Sequence, residues 1–518
     1  MKKPKVIVIG LDGATWDLIK PWVDEGKLPT FKHLMENGAW GALESTIPPV
    51  TFPAWHSLFT GQNPGKLGVY NFVQIDVKNR KFIVNTPKSF KGKPVWKILS
   101  EYGYKSCVIN VPTAKVEKIN GVIVGGAFAD GDVYPPEYKR ILNEIGYKAY
   151  PEELTKAFLK SGVEPNIELI KQTISSRFEL AKLLVEKEKP DFLALVIFEI
   201  DSLQHFYWGD DILYQAWKHI DNKIGSFISD YINDSYIFIV SDHGFAFTET
   251  YKTLFISKFL EDLGLIKFKR SIEYKILSTI STEKIIRIAK KLKLDITKKI
   301  LPLDFILRIL SAFPDEGGRL GAKGLESVID WENSIAVPID RLIYLSCSDT
   351  ERNKLKEYLK KKLEELDIVD RVLYKEEVCS GKYLDSAPDL VVMTKKGVDV
   401  LENPFVRDVV VNGLVRPNWK AMHDINGIFL ALGPRIKTTN LKASIYDITP
   451  TILSIFGIPV DPDVDGKVLS AIFSDKVQLS IKGDSLEKFR IKSKIKELKG
   501  KLGRRDSYVE STENKNEK

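Results

Sequence analysis

Three apolar stretches of the chain each lead into an aspartate. VIVIGLDG reaches Asp12, FLALVIFEID reaches Asp201, and YIFIVSDHG reaches Asp242. Stretches of this kind are typical of buried strands, and the carboxyl ends of parallel strands gather at one edge of a sheet. Three carboxylates at one edge repel one another unless cations hold them, because a lone buried charge is very costly. The pattern therefore predicts a metal site.

Histidines accompany these acids. His205 lies four residues after Asp201, His243 directly follows Asp242, and His423 precedes another apolar run in MHDINGIFLALG. The chain has only 6 histidines, so the placement of three of them beside strand-end acids or strands is informative. Asp and His ligands without cysteine suit zinc or manganese rather than a cysteine-rich structural site.

A candidate nucleophile lies in the stretch STIPPVTFPAWHSLFTG. Prolines on both sides of Thr51 fix its backbone and keep it out of a regular strand. On its own, Thr51 reads as a turn residue that bonds its own backbone. A threonine hydroxyl is a weak nucleophile at neutral pH and needs activation, for example by metal coordination. Beside a two-metal cluster we therefore interpret Thr51 as the nucleophile.

Two other interpretations of the first motif fit less well. A phosphatase with an aspartate nucleophile needs a second acid two residues after Asp12, and this chain has Ala14 there. A dinucleotide site needs G-x-G-x-x-G after the first strand, which this sequence lacks.

The elements that must position these residues follow an alternating pattern. The strand candidates are Val6–Ile9, Ser106–Asn110, Val122–Val124, Phe192–Ile200, Tyr236–Val240, Leu342–Leu345, Leu390–Met393 and Ile428–Ala431. The helix candidates include Phe31–Asn37, Ile167–Lys187 and Tyr214–Ile232. This alternation predicts an α/β fold with a central, mostly parallel sheet and helices on both of its faces.

The pattern changes after residue 251, where helical periodicity with many lysines and no convincing strand predicts a helical insertion or cap. We divide the chain into a first core part (1–251), a basic insertion or cap (252–331), a second core part (332–475) and a basic helix with a disordered tail (476–518).

The net charge of +8 is concentrated in two segments. Lys267–Lys299 and Lys476–Arg505 each hold eleven lysines or arginines against three acidic residues, which leaves the rest of the chain acidic. An acidic body argues against nucleic acid as the main partner. We favour solvated amphipathic helices for both segments. The first is expected to cover a pocket and attract an anionic substrate, with contact to an anionic membrane surface as the alternative.

Cysteine content and hydropathy bound the cellular context. Cys107, Cys347 and Cys379 are far apart and odd in number, which favours neither a disulfide framework nor a zinc knuckle. No stretch approaches the roughly 18 apolar residues of a membrane span, and the N-terminal apolar run is too short for a signal peptide. We expect a cytoplasmic protein and leave its oligomeric state open.

Taken together, the motifs resemble the alkaline phosphatase superfamily, and most of all its type I phosphodiesterase/nucleotide pyrophosphatase branch. The resemblance is carried by GLDGATWD, GKLPTFKHLMENGAWGALESTIPPVTFPAWHSLFTGQNPGKLGVYNF, FEIDSLQHFYW, SDHGF, MHDINGIFLALG and SIYDITPTILSIFGIPVDPDVDGKVL. Within that branch the chain is similar to prokaryotic proteins described as predicted phosphohydrolases or phosphomutases.

The resemblance implies two divalent metal ions, zinc in the first place and manganese in the second. Asp201, His205 and His423 would hold one ion. The other would be held by Asp12, Asp242, His243 and the Thr51 hydroxyl.

The sequence departs from the family at one point that matters for substrate binding. Nucleotide pyrophosphatases have an asparagine after T-F-P that helps to hold the phosphate, and Ala54 and Trp55 occupy that stretch here. The candidates for holding the phosphoryl oxygens are Lys66, Asn71, Arg319 and Lys323. The cysteine signature of sulfatases is also absent, which argues against sulfate esters.

The resulting hypothesis is a metal-dependent phosphoric ester hydrolase, a phosphodiesterase or phosphomonoesterase that works through a phosphothreonine and acts on a phosphorylated small molecule. The alternatives are a phosphomutase that uses the same site and, less favoured, a protein that binds metal without catalysis.

Overall fold

The computed structural model describes residues 2–151, 154, 164–248, 252–271, 322–413 and 419–474. Its strands, numbered in chain order, are β1 Val6–Leu11, β2 Ala39–Glu44, β3 Val73–Asp76, β4 Lys81–Val84, β5 Ser106–Val111, β6 Gly121–Gly125, β7 Val133–Tyr134, β8 Phe192–Ile197, β9 Tyr236–Val240, β10 Gly244–Phe247, β11 Lys252–Phe255, β12 Ala336–Ile339, β13 Leu342–Leu345, β14 Val369–Tyr374, β15 Leu390–Thr394, β16 Val398–Leu401, β17 Val410–Asn412, β18 Ala421–Asp424, β19 Asn426–Leu432, β20 Thr439–Asn440 and β21 Ala443–Ser444.

The α-helices of the described ranges are Trp16–Asp24, Pro29–Asn37, Thr51–Thr60, Pro64–Leu67, Val95–Glu101, Lys139–Glu144, Ile167–Glu188, Glu199–Tyr207, Asp211–Ile228, Ile256–Asp262, Ala322–Val328, Asp349–Glu364, Lys375–Val378 and Ile448–Ile455. None of these helices is both long and apolar enough to cross a bilayer.

The main sheet has ten strands in the order β20-β2-β19-β9-β1-β8-β5-β6-β7, with β21 beside β2. Strands β9, β1, β8, β5 and β6 are mutually parallel, and β19 runs antiparallel between β9 and β2. Because side chains alternate along a strand, Ile7, Ile9 and Leu11 pack in one core while Val6 and Val8 pack in another on the opposite face. The predicted α/β fold with a mostly parallel central sheet is confirmed.

A second group of strands packs around its own apolar core. It contains the antiparallel sheet β12-β13-β15-β14 and the sheet β16-β11-β17. Strand β11 lies in the range where the sequence indicated no strand, and that expectation is wrong. Lys252–Phe255 forms this strand because it pairs with two segments far along the chain, Val398–Leu401 and Val410–Asn412. Most of Lys267–Lys299 and all of residues 476–518 lie outside the described residues.

Candidate active site

Two neighbouring strands of the main sheet deliver the first acids. Asp12 directly follows β1, and Asp242 and His243 connect β9 to β10. Since β1 and β9 are parallel neighbours, both turns lie at the same edge of the sheet. The turn after β1 requires Gly13, which has φ +69° and where a Cβ would lie 2.4 Å from the Phe245 ring.

Asp201 and His205 lie on a helix rather than at the end of a strand. Strand β8 ends at Ile197 and the helix Glu199–Tyr207 begins two residues later, so the predicted strand Phe192–Ile200 is too long. Asp201 is in the first turn, and His205 lies one turn further along the same face. We call this helix the Asp201 helix.

His423 reaches the site from a distant part of the chain. It lies in β18, which pairs antiparallel with β10 so that His423 is opposite Phe245. The short β10-β18 pair therefore joins the segment after His243 to the segment that carries His423.

The first group of ligand atoms contains Asp201, His205 and His423. The distance from His205 Nε2 to His423 Nε2 is 3.0 Å, and Asp201 Oδ1 lies 3.1 Å from His423 Nε2 and 3.6 Å from His205 Nε2. Three donor atoms thus converge on one point, as in a metal site with three protein ligands.

In each of the three histidines, the hydrogen bond made by Nδ1 decides whether Nε2 has a lone pair that can bind a cation. The Nδ1 atoms of His205, His423 and His243 lie 2.9, 3.0 and 3.1 Å from the backbone oxygens of Ala421, Pro49 and Gly244. A carbonyl oxygen only accepts, so each neutral ring carries its proton on Nδ1. The lone pairs of Nε2 of His205 and His423 then face each other, an arrangement that a cation between them stabilises.

The second group of ligand atoms is centred on His243 Nε2. Thr51 Oγ1 lies 3.1 Å from this nitrogen, Asp242 Oδ2 lies 3.3 Å from it and Asp12 Oδ1 lies 3.7 Å from it. Asp201 also lies near this group, since one ligand atom each of Asp12, Asp201 and His243 fall within 4.8 Å of one another. The two groups are therefore adjacent.

Each carboxylate of this second group has one oxygen that accepts a hydrogen bond and one oxygen that accepts none from the described residues. Asp12 Oδ2 accepts a hydrogen bond from Trp55 Nε1 at 2.7 Å, and Asp242 Oδ1 accepts one from the Gly13 N–H at 3.1 Å. Asp12 Oδ1 and Asp242 Oδ2 are buried and have no hydrogen-bond partner in the described part of the chain. Such atoms are costly to bury unless a cation satisfies them, so these residues fit a metal ion.

Burial is also the main cause of the pKa shifts in the second group of the metal-free site. Burial, followed by the charges of Asp242 and Asp201, raises the pKa of Asp12 well above its usual value. Burial raises the pKa of Asp242 to about 7. Burial, followed by the neighbouring His423, lowers the pKa of His243 well below its usual value. Without cations, the acids of this second group therefore bind protons more tightly than ordinary carboxyl groups do.

The pKa of Asp201 shifts in the opposite direction, to a lower value. Burial favours its neutral form, but the imidazoles of His205 and His423 outweigh burial and hold the pKa of this carboxyl below its usual range. The same contact with Asp201 raises the pKa of His423 against the opposing effect of burial.

Among the candidates for holding phosphoryl oxygens that the structure describes, Asn71 directly precedes a residue that packs against Phe52, the neighbour of Thr51. Asn71 is buried, and the ring of the next residue, Phe72, lies 4.9 Å from that of Phe52. Its amide nitrogen lies 3.4 Å from a carboxylate oxygen of Asp340. Lys323 is exposed on the helix Ala322–Val328, and Arg319 lies outside the described residues.

Lys66 already has partners of its own. Its ammonium lies 2.8 Å from Asp465 Oδ1 and 3.2 Å from Asp463 Oδ1, and it donates to the Asp463 carbonyl oxygen at 2.7 Å. The side chain is 17% exposed. A cation held by two carboxylates in this way is better placed to join the loop around residues 461–467 to the helix Pro64–Leu67 than to bind a substrate.

We therefore expect Lys66→Met to lower stability rather than substrate affinity. Loss of a largely covered cation between two acids should lower the free energy of unfolding by about 1–2 kcal/mol and leave KM within about twofold. Urea denaturation and steady-state kinetics measure the two effects. Lys139→Met, which removes an exposed ion pair with Asp132, is the matched control and should change neither. A large rise in KM for the Lys66 variant alone would return Lys66 to the substrate site.

Sequence reasoning missed three neighbours of the ligands. Trp55 donates to Asp12, Gln204 Nε2 donates to the Gly13 carbonyl oxygen at 2.7 Å, and the Trp419 ring centroid lies 4.1 Å from that of His205. Trp55 alone had a signal in the sequence, because a residue four positions after Thr51 in a helix points in the same direction.

The family of the chain follows from a comparison with models of known families. The model of "Type I phosphodiesterase / nucleotide pyrophosphatase" matches residues 6–413. The chain belongs to this family. Like other members of the type I phosphodiesterase/nucleotide pyrophosphatase family, it is a metal-dependent phosphoester hydrolase, which confirms the resemblance seen in the sequence.

Solved structures of the same fold extend over most of this family member. Phosphonoacetate hydrolase from Sinorhizobium meliloti 1021, solved with phosphonoformate, has a TM-score of 0.54 and 14% identity and covers 86% of this chain and 94% of its own. Human ectonucleotide pyrophosphatase/phosphodiesterase 5 has a TM-score of 0.52 and 15% identity, and the match covers 91% of this chain and 100% of the human chain. Wild-type alkaline phosphatase PafA has a TM-score of 0.53 and 13% identity, and the match covers 92% of this chain and 100% of PafA. At these identities the likeness shows an alkaline phosphatase-like fold.

A search of curated protein sequences found no match to this member of the family.

Proposed function

We propose that this hydrolase cleaves phosphoric esters through a phosphothreonine on Thr51, at a site that holds two divalent cations. The observation that carries the proposal is the paired geometry of the ligand atoms. Two inward-facing imidazole nitrogens lie 3.0 Å apart in the first group, and Thr51 Oγ1 lies 3.1 Å from a third in the second group. The candidate nucleophile is thus itself one of the converging donor atoms.

The cations, when bound, lower the pKa of coordinated hydroxyl groups and water and neutralise charge on the phosphoryl oxygens. The residues of the chain have separate tasks. Asp201, His205 and His423 would hold one cation, and Asp12, Asp242 and His243 would hold the other beside Thr51. The bond from Thr51 Oγ1 to phosphorus forms as the bond to the leaving oxygen breaks, and the leaving oxygen gains a proton in place of the one that the Thr51 hydroxyl loses. Water then attacks phosphorus, releases the phosphoryl group and restores the hydroxyl.

The position of Thr51 at the start of a helix supports this role. Val50 is the N-cap residue and has no side-chain hydrogen bond to the helix, so the N–H groups of Thr51 and Phe52 have no acceptor within it. The third residue, Pro53, has no N–H at all. N–H groups without an acceptor in their own helix, together with the positive end of that helix, favour a negatively charged phosphoryl group next to Thr51. Asn71 is the side-chain candidate that we favour for the same oxygens among the described residues, and Arg319, which lies outside them, stays a prediction.

The spacing of the donor atoms suits zinc, with manganese as the second choice. A tetrahedral ion with bonds of about 2.0–2.1 Å places its ligand atoms roughly 3.3 Å from one another. The pairs around the two groups span 3.0–3.6 Å in the first and 3.1–3.7 Å in the second. Oxygen and imidazole ligands without thiolate are acceptable to both metals.

A phosphorylated small molecule is the proposed substrate class. Murine ectonucleotide pyrophosphatase/phosphodiesterase 5, in an inactive variant with alanine in place of a threonine, was solved with AMP, and the Sinorhizobium hydrolase was solved with phosphonoacetate. Their fold is shared by this chain, so a pocket for a small phosphoryl or phosphonyl compound fits the proposed chemistry.

The test is a turnover assay in water labelled with ¹⁸O, using metal-loaded protein and aryl phosphate mono- and diesters. We expect one solvent oxygen in each phosphoryl product, because water completes the reaction. A phosphomutase would transfer the phosphoryl group to another hydroxyl without solvent oxygen. Stoichiometric metal binding without any turnover would favour the third hypothesis, a protein that binds metal without catalysis.

The remaining assignments are proposals that depend on segments outside the described residues. They are a basic cap over the site, or contact with an anionic membrane surface, for Lys267–Lys299, and a basic helix with a tail for residues 476–518. A cytoplasmic location also remains a proposal.

A further inference from the structure

Trp55 lies on the helix that carries the candidate nucleophile. The helix Thr51–Thr60 places Trp55 one turn after Thr51, so both side chains point towards the same part of the molecule. The Trp55 ring is fully buried, and its Nε1–H donates to Asp12 Oδ2 at 2.7 Å. One helix thus contacts His243 through Thr51 and Asp12 through Trp55.

The Trp55 ring also fits closely against strand β1. A Cβ at Gly10 would lie 2.5 Å from Trp55 Cη2, a distance that side-chain carbons do not adopt. Glycine at position 10 therefore makes room for the indole, two residues before the carboxylate that it bonds. The ring stacks on Phe59 on its own helix, with centroids 6.0 Å apart and an interplanar angle of 19°. These contacts fix the direction of the Nε1–H.

The hydrogen bond decides which atom of Asp12 faces the cation site. With Oδ2 accepting from Trp55, only Oδ1 is left without a partner among the described residues, and it lies 3.7 Å from His243 Nε2. A carboxylate free to rotate would offer either oxygen, or both at once. We propose that Trp55 is a positioning residue that restricts Asp12 to one ligand oxygen and ties this ligand to the helix of Thr51. The inference rests on the proposed function.

Burial of an indole N–H does not by itself require an acceptor in this fold. Trp217 is also fully buried, and its Nε1 has no hydrogen-bond partner in the parts of the chain that the structure describes. The fold thus accommodates one buried indole without an acceptor. Trp217 packs with Phe31 and Trp22 on the opposite face of the sheet from Trp55 and contacts none of the ligands named above. It is therefore a matched control.

The experiment measures zinc affinity of the full chain, stripped of metal and reloaded in competition with a chromogenic chelator. Trp55→Phe should raise Kd for one of the two ions, the one that Asp12 would hold, about 10–100-fold, the usual effect of losing a hydrogen bond to a metal ligand. Trp217→Phe removes the same atoms elsewhere and should leave both affinities within about twofold. Both variants should lower the unfolding temperature, because both leave a cavity.

A second variant separates the hydrogen bond from the shape of the ring. Benzothienylalanine at position 55 keeps the bicyclic ring but replaces the N–H by sulfur, so it should weaken zinc binding as Trp55→Phe does without leaving a cavity. Wild-type zinc affinity with this residue would overturn the inference, even if Trp55→Phe fails to fold. Failure of the proposed function looks different, because the wild-type chain would then bind fewer than two ions or keep its activity without Thr51.

Discussion

Replacing Thr51 with alanine is expected to reduce kcat by about 10³-fold or more and to leave the metal content unchanged. The hydroxyl is the atom that bonds to phosphorus in the proposed reaction, and loss of a nucleophile removes the covalent route altogether. Its loss should spare metal binding, because Asp12, Asp242 and His243 still converge on the second group. Steady-state kinetics and elemental analysis of the same preparation measure both quantities.

Two variants make this result specific to the hydroxyl. Thr51→Ser keeps an oxygen at the same position and should retain measurable turnover and a trapped phosphoryl group on the protein. Thr60→Ala, at the other end of the same helix, removes a buried hydroxyl that donates to the His56 carbonyl oxygen. It should lower stability and leave kcat nearly unchanged. More than a few per cent of the wild-type kcat in Thr51→Ala would exclude Thr51 as the nucleophile.

The sequence predicted the acids of the site because their positions follow from strand order. Asp12 comes directly after β1 and Asp242 comes two residues after the end of β9, and the Val, Ile and Phe residues of these strands are typical of buried parallel strands. Parallel neighbours end at the same edge, so the two turns had to meet. Local pattern was sufficient there.

Asp201 shows where local pattern was insufficient. Phe198 and Ile200 continue the apolar run of β8 and so read as strand, yet the chain turns into a helix at Glu199. Glu199 is fully buried, and its carboxylate lies 2.5 Å from the guanidinium of the equally buried Arg177. A strand that extended through Glu199 would place this charge inside the apolar sheet. The helical turn instead brings Glu199 to Arg177, which lies on another helix. Only tertiary contacts decide this boundary.

Contacts between distant segments were out of reach for the same reason. His423 meets Asp201 because β18 pairs with β10, and Trp55 bonds Asp12 because the helix Thr51–Thr60 packs across β1 at Gly10. The tautomers of the three histidines depend on backbone carbonyl oxygens of β18, of β10 and of the loop before Thr51. Sequence spacing names the candidate ligands, but these packed contacts decide which atom of each ligand faces inward.

In the metal-free protein, the free energy of unfolding is expected to fall as the pH rises from about 4 to about 7. In the metal-free protein, burial raises the pKa of Asp242 from 3.8 to about 7 and that of Asp12 well above its usual value. The folded state then binds protons more tightly than the unfolded chain. This contribution is fully present below about pH 4 and is lost as pH rises through about 7. The metal-free chain should lose up to about 4 kcal/mol of stability over this range from Asp242 alone.

Chemical denaturation at pH 5, 6, 7 and 8, with and without Zn²⁺, measures the effect. Bound cations stabilise the ionised carboxylates, so the metal-loaded chain should gain stability relative to the metal-free chain as pH rises. Asp242→Asn removes one titrating group and should flatten the metal-free profile. Asp221→Asn is the control, because burial also raises the pKa of Asp221 but its carboxylate accepts from the N–H groups of Thr30 and Phe31, away from the ligands. This control should leave the difference between metal-free and metal-loaded protein unchanged. Equal pH profiles with and without metal in the wild-type chain would mean that these carboxylates do not face a cation.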